Sequence, residues 1–379
     1  MLYGDGIHDD TAALQEMLDK CGVVMVEEPG TYLITKTLII HSNTRFVLSP
    51  GAKLLAAPMS HCSLIENAHF AGGGRDENIE IIGGTWDGNC DAMGLDGLEF
   101  FKHRNAEPYD PARFTGKLIR FAHIDHIVLQ RMVVRDPVSY GIQIADVCDF
   151  VVRNIYFDYN WHFATTDGVH INGPACNGVI ENLAGTTNDD MVGLTTYDER
   201  HAEVSLGDIE NIYLHNLTAK NGYSGVRLMC GENCAMRGIR IDGLYGTYRY
   251  HAVVISNHCK RPGTVWFDNI TIENVYASKS HEKLSDDCFI KDEADRDPLA
   301  FFFFGRGGTR CGNITMRNIH RHQERSTESP LFKFVGTCEI DRLLLDNVVQ
   351  TTGEGATAPL WVNEGTIRNL IERDSIQHE

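Results

Sequence analysis

Positive charge is scarce in this chain. Over 379 residues, 34 Lys and Arg stand against 52 Asp and Glu, for a formal net charge of −18. That deficit argues against nucleic acid or an anionic membrane surface as the main partner. It also works against a strongly anionic polymer, unless basic residues gather in a cleft. No window approaches the ~18 uninterrupted apolar residues of a membrane span. The opening MLYGDGIHDD lacks the basic and apolar regions of a secretory signal. A reduced, cytoplasmic setting is the expectation, with a secreted protein trimmed of its signal as the alternative. The 11 cysteines include no CxxC pair and the 17 histidines no HExxH spacing, so no metal or cofactor is expected. Cys148, Cys176, Cys311 and Cys338 each precede an expected strand, and read as a column of small buried thiols rather than disulfides.

What the chain does have is repetition. A short segment of the form x-V-x-I recurs at 140–146, 167–173, 190–196, 224–230 and 251–257. Aligned, these place Tyr140, Asp167, Asp190, Ser224 and His251 in one column. A second unit, N-I-x-I-x-N followed by an apolar residue, recurs from residue 77 to residue 349. From Asn154, its equivalent position falls at Asn182, Asn216, Asp242, Asn274, Asn318 and Asn347. Spacings of about 25–35 residues are those of stacked repeats. Within each unit apolar and polar residues alternate, the signature of a strand with one buried face. Asn suits the bends, because it tolerates left-handed backbone and bonds its own main chain.

Short strands without intervening helices cannot build βαβ units. Tightly spaced hairpins about Asn-Gly or Asp-Gly turns, which a sandwich or propeller needs, are scarce. The expectation is an all-β, right-handed, single-stranded parallel β-helix occupying residues 1–379 as one domain. Its open N-terminal end calls for a cover. Residues 9–22 read as an amphipathic helix with Asp9 or Asp10 as N-cap, apolar Ala13, Leu14, Met17 and Leu18, and Gly22 as its stop. Residues 89–115 and 279–300 break the rhythm and read as long excursions forming cleft walls or contacts in a homo-oligomer. The run Phe301–Phe304 reads as a strand buried on both faces.

Several segments, in order, then become familiar: GDGIHDDTAALQ, GGTWDGN (83–89), GKLIRFAHIDHIVLQRMVVRDPVSYGIQI (116–144), TDGVHI and NDDMVGL. Over roughly residues 4–230 the chain resembles glycoside hydrolase family 28, the polygalacturonase-like group with a pectin lyase-like β-helix. The resemblance implies hydrolysis of a glycosidic bond by three aspartates. The family's Asn-Thr-Asp aspartate falls on Asp167, here preceded by Thr165 and Thr166, and its Asp-Asp pair on Asp189 and Asp190. The family's His-Gly falls on Ser224-Gly225, and the columns of its carboxylate-gripping Arg-x-Lys hold Val254 and Ser256. The resemblance thus implies glycosidase chemistry more than a pectin substrate.

That chemistry needs one carboxyl that stays protonated, to donate to the leaving oxygen, and one that is ionised, to activate water. Clustered aspartates supply both states. Asp167 and Asp190, in one column, would be close on a surface patch. Asp189, one residue outside that column, should point elsewhere at the larger separation that gives inversion, about 6.5–9.5 Å. The resemblance makes Asp189 the general acid, with Asp167 and Asp190 holding the nucleophilic water. His170 and Arg227 follow inward valines and so face outward, where they could contact a sugar or a carboxylate. Tyr140, Tyr197, Tyr223 and His251 flank the patch and could stack on sugar rings. Two other classes compete: a polysaccharide lyase or uronan epimerase using Ca²⁺ and Arg227 as base, and a glycan-binding, tailspike-like scaffold without turnover.

Overall fold

The computed structural model describes residues 1–97, 115–197, 204–231, 233–257, 265–282, 284–289, 300–305, 307–374 and 376–377. Its architecture follows from three vertical rows. Ile142, Val169, Val192, Val226, Val253, Phe302, Phe332 and Trp361 stack in parallel register, one per coil. A second row runs Phe150, Gly178, Ile212, Ile239, Ile270, Ile314, Leu343 and Leu370. A third runs Ile155, Leu183, Leu217, Leu244, Val275, Ile319 and Val348. Except for the exposed Leu370 at the end of its row, the β-branched and leucine side chains of these rows fill the interior of a parallel β-helix, where each coil buries its apolar face on the next. Gly178 keeps its row continuous because the Phe150 ring occupies its place: a Cβ there would lie 2.1 Å from Phe150 Cζ.

The bends carry the expected asparagines. Asn154, Asn182, Asn216, Asn274, Asn318 and Asn347 have φ between 53° and 57°, the left-handed region that Asn tolerates. Asp242 departs from the pattern. The left-handed residue of that coil is Gly243, with φ 87°, because His215 pairs with Asp242 and Leu217 with Leu244. Asp242 still serves the column, since its Oδ1 accepts from Asn274 Nδ2 at 2.7 Å.

Helix α1 is shorter than the sequence pattern suggests, running Thr11–Leu18 rather than 9–22. Asp10 sits at the N-cap without a side-chain cap bond. Its carboxylate is drawn away by the backbone N–H groups of Tyr3 and Gly4, while Asp9 accepts from the Thr11 N–H and hydroxyl. Leu14 and Leu18 seat the helix on the core, and Gly22 opens the next strand.

The cysteine column is a correction. Cys148 and Cys176 pair in register on adjacent coils and form a disulfide with Cα atoms 4.6 Å apart. They are half-buried, because they sit beside the bend residues Asp149 and Asn177, not on a core row. Cys311 and Cys338 are buried free thiols, as expected. Phe302–Gly305 is a strand with Phe301, Phe302 and Phe304 buried, whereas Phe303 is half-buried on the outer face. Much of both expected excursions lies outside the described residues. Their described parts meet at His162, whose Nδ1 pairs with Asp91 at 2.7 Å and Nε2 with Asp287 at 3.6 Å.

Candidate active site

Vertical registration brings the aspartates together. Gly141 N–H donates to Asp167 O, Gly168 N–H to Asp190 O and Gly225 N–H to His251 O, at 2.9–3.0 Å. Asp190 pairs directly with Ser224. Tyr140, Asp167, Asp190, Ser224 and His251 thus occupy successive coils, as their sequence column requires. One oxygen from each of Asp167, Asp189 and Asp190 lies within 4.8 Å of the other two.

Two expectations about this cluster are overturned. Asp189 does not point away. It precedes the strand Asp190–Thr195, so strand alternation does not govern it. A turn bond from Thr187 Oγ1 to its carbonyl, 2.8 Å, belongs to this local geometry. The nearest oxygens of the three carboxylates are therefore closer than the separation of about 6.5–9.5 Å expected for Asp189. Nor is the patch open: Asp167, Asp189 and Asp190 are 2%, 7% and 4% exposed. They are not in the apolar interior, however, because their partners are the outward residues of the wall.

Those partners are His170 and Arg227. They belong to one outward column, in which Gln143 pairs with His170, His170 with Gly193, Gly193 with Arg227 and Arg227 with Val254. His170 Nδ1 lies 2.5 Å from Asp167 Oδ2 and its Nε2 3.0 Å from Thr195 Oγ1. Its ring stacks on Tyr140, with centroids 4.2 Å apart and planes 5° from parallel. Gly193 makes room for that ring, since a Cβ there would stand 3.0 Å from His170 Nδ1. Asn172 Nδ2 donates to Thr195 Oγ1 and Gln143 Nε2 to Asn172 Oδ1, both at 2.8 Å, so buried polar residues fix the imidazole. Arg227 Nε donates to Asp190 Oδ2 at 2.5 Å. Burial alone disfavours the charge of this guanidinium, but Asp190, Tyr250 and Asp189 outweigh it and hold Arg227 protonated well above its ordinary range. Asp190 N–H donates back to Asp167 Oδ1 at 3.2 Å, joining the two carboxylates through the backbone.

His170 and Arg227 lie on the outward face and contact the carboxylates of Asp167 and Asp190. Of the aromatic residues, Tyr140 is buried against His170, and Tyr223 packs on Tyr250 at 4.7 Å. Burial, reinforced by Asp189, pushes the Tyr223 phenol well above its ordinary value, so it stays protonated. His251 is buried 3.9 Å from Tyr250, and its Nδ1 contacts Ala300 O. Tyr197 lies beyond the other end of the strand Asp190–Thr195 and is half-buried. Two contributors were not anticipated. Asn188 Nδ2 donates to Phe163 O and Phe289 O, both at 3.0 Å. Arg249, buried over the Trp161 ring at 4.6 Å, donates to Asn188 Oδ1 at 2.8 Å. Asn188 was visible as the residue before the doublet, but Arg249 comes from a distant coil and had no local signal.

No protein-family model and no curated protein matches the chain. Solved structures do match its fold. A family 28 exopolygalacturonase of Yersinia enterocolitica superposes with a TM-score of 0.58 at 15% identity, over 98% of this chain and 76% of that one. PfbA, a surface adhesin of Streptococcus pneumoniae, gives 0.59 at 16% identity, over 99% and 89%. The A-module of a mannuronan C-5 epimerase from Azotobacter vinelandii gives 0.53 at 14% identity, over 98% and 97%. The chain has the right-handed parallel β-helix fold of polygalacturonases and related pectin lyase-like proteins, a fold that also serves an adhesin and an epimerase.

Proposed function

We propose that this protein is a divergent glycoside hydrolase of the polygalacturonase-like group, cleaving a glycosidic bond in an oligo- or polysaccharide. One observation carries the reading: three carboxylates cluster, and two of them have a cationic or cation-forming side chain at 2.5 Å. His170 pairs with Asp167 and Arg227 with Asp190. A proton on the third carboxyl, Asp189, relieves the repulsion of two fixed negative neighbours. Asp189 is then the general acid that protonates the leaving oxygen. Asp167 and Asp190 accept from the attacking water and take up its proton. General acid–base assistance of this kind is worth roughly 10²–10⁴-fold in rate. The inverting course is carried by the family resemblance rather than by the carboxylate spacing.

Arg227 supplies an argument against the lyase or epimerase reading. A base must lose its proton, and this guanidinium is held in its charged form by two of the aspartates. The spacing of the triad would suit a divalent cation, but two of its members already face His170 and Arg227. Burial of the triad favours the second reading, a glycan-binding protein without turnover. Incubation with oligosaccharides and aryl glycosides separates the readings. A hydrolase yields reducing ends with or without chelator. A lyase yields unsaturated, ultraviolet-absorbing ends and stops with chelator, and a binding module yields neither. Early product NMR then reads the anomer, and retention would make one aspartate a nucleophile.

A further inference from the structure

We propose that Ser224 is a further catalytic residue: its hydroxyl, together with Asp190 Oδ1, holds the water that attacks the anomeric carbon. The inference rests on the hydrolase reading, which gives that water to Asp167 and Asp190 and assigns Ser224 no part.

Two unbonded oxygens on adjacent coils carry it. Asp190 Oδ1 is buried and accepts from nothing, although Oδ2 of the same carboxylate is bonded to Arg227. Ser224 Oγ is likewise buried with no hydrogen-bond partner. Ser224 is the Cα partner of Asp190 on the next parallel strand. Neighbouring strands lie about 4.8 Å apart and side chains in register project to the same face, so the two oxygens border one space. Ser224 is 0% exposed and Asp190 4%, so that space admits a water or the tip of one hydroxyl and little more. Buried polar atoms are rarely left unbonded, and a buried water makes about three hydrogen bonds to such atoms.

The donors and acceptors then suit a nucleophile. Asp190 Oδ1 only accepts, whereas Ser224 Oγ can donate. A water between them donates one O–H to Asp190 Oδ1 and the other to Asp167, and accepts from the Ser224 hydroxyl. Three of its four bonding directions are used, and one lone pair remains for the anomeric carbon. That pair forms the new C–O bond as the glycosidic C–O bond breaks. The leaving oxygen takes the Asp189 proton, and one proton of the water passes to Asp190. Exchange with solvent after product release returns a proton to Asp189 and removes one from Asp190. Ser224 keeps its proton throughout and acts only by orienting the water. A sugar hydroxyl could bond to the same two oxygens, and the experiment separates the two sources.

The test uses nitrophenyl glycosides of galactose, glucose, mannose and galacturonate, in both anomers, and oligosaccharides of the same sugars. On the best-cleaved member of each kind, Ser224→Ala should lower kcat about thirtyfold with KM within twofold, the mark of a contact made in the transition state. The loss should be the same on both kinds, because a good leaving group does nothing for the attacking water. Asp189→Asn, which removes the acid, should instead lose far less on the nitrophenyl glycoside than on the oligosaccharide. The melting temperature of Ser224→Ala should match the parent. Ser224→Cys, close in size and a poor donor, should show the same pattern with a smaller loss, and serves as the test where alanine disturbs the fold. An unchanged kcat, a loss confined to KM as for a sugar hydroxyl, or a loss that shrinks on the nitrophenyl glycoside overturns the role of Ser224 alone. An unmodified protein that cleaves none of these substrates overturns it together with the hydrolase reading.

Discussion

Two columns of the same solenoid stack oxygen-bearing side chains, and they solve the stacking differently. At one bend, Asn182 Nδ2 donates to Asn154 Oδ1, Asn216 to Asn182, Asn318 to Asn274 and Asn347 to Asn318, at 2.7–3.1 Å. Each amide has a donor and an acceptor, so the ladder satisfies itself coil after coil. At the other bend, Asp167 and Asp190 are stacked carboxylates, which accept and cannot donate. They require help from elsewhere, and it comes from His170, Arg227 and the Asp190 backbone N–H. A self-complementary stack needs nothing outside itself and is structural. A stack of like charges that recruits buried cations costs more to build, and that cost points to chemistry.

The strongest way to break the contrast is to convert one member of the acidic column into the other kind. Asp189→Asn keeps shape and amide bonding but has no proton to give at neutral pH. It should lower kcat/KM about a thousandfold or more, with a melting temperature within about 2 °C of the parent. Retained turnover would remove Asp189 as the acid.

Arg227→Met acts on stability as well as on rate. It leaves Asp190 buried beside Asp167 without its cation, a loss of about 3–5 kcal/mol in denaturant unfolding. Arg227→Met combined with Asp190→Asn should recover most of that stability and none of the activity. If the single change is as stable as the parent, Arg227 is not what holds the column together.

Much of this was legible in the sequence because a solenoid makes vertical neighbours of residues at equivalent repeat positions. The column from Tyr140 to His251 needed only the period, and the asparagine bends only the alternation around them. What was not legible depends on direction at an irregular point. Asp189 lies in the turn ahead of its strand, where alternation carries no information, so its approach to Asp167 and Asp190 was missed. Asp242 was read as a bend residue because a one-residue offset beside Gly243 is invisible to the motif. Cys148 and Cys176 were assigned to a buried column, although Asp149 and Asn177 beside them mark the bend at the wall. Burial of the triad depends on contacts far apart in sequence, as with Arg249 and Asn188.

A carboxylate outside both columns sharpens the comparison. Asp136 has left-handed backbone and accepts from Asn160 N–H at 2.7 Å. Burial, with Asp87 and Asp158 nearby, raises its pKa from 3.8 to about 6, despite the Asn160 bond and Arg135. A pKa raised on folding means that the folded state holds the proton more tightly. Its stabilising contribution is complete below about pH 4 and is lost as pH rises through about 6. Asp136→Asn keeps the acceptor and tolerates the backbone, so it should gain roughly 1–3 kcal/mol at pH 7–8 and nothing at pH 4. A gain that is the same at both pH values would show that charge is not the cause.

The amide ladder gives the smallest effect and the cleanest separation of its two parts. Asn182 both adopts φ 55° and bridges Asn154 to Asn216. Asn182→Gly keeps the left-handed backbone free of strain and removes both amide bonds. Because these bonds are partly solvated, the loss should be about 1 kcal/mol. Asn182→Ala removes the same bonds and also places a Cβ in left-handed backbone, adding about 1 kcal/mol. Paired unfolding curves at fixed pH measure the difference. If alanine and glycine cost the same, the bend is relieved by local adjustment and the ladder carries the whole effect. If glycine costs nothing, the bend alone explains the asparagines, and self-complementary stacking loses its structural role.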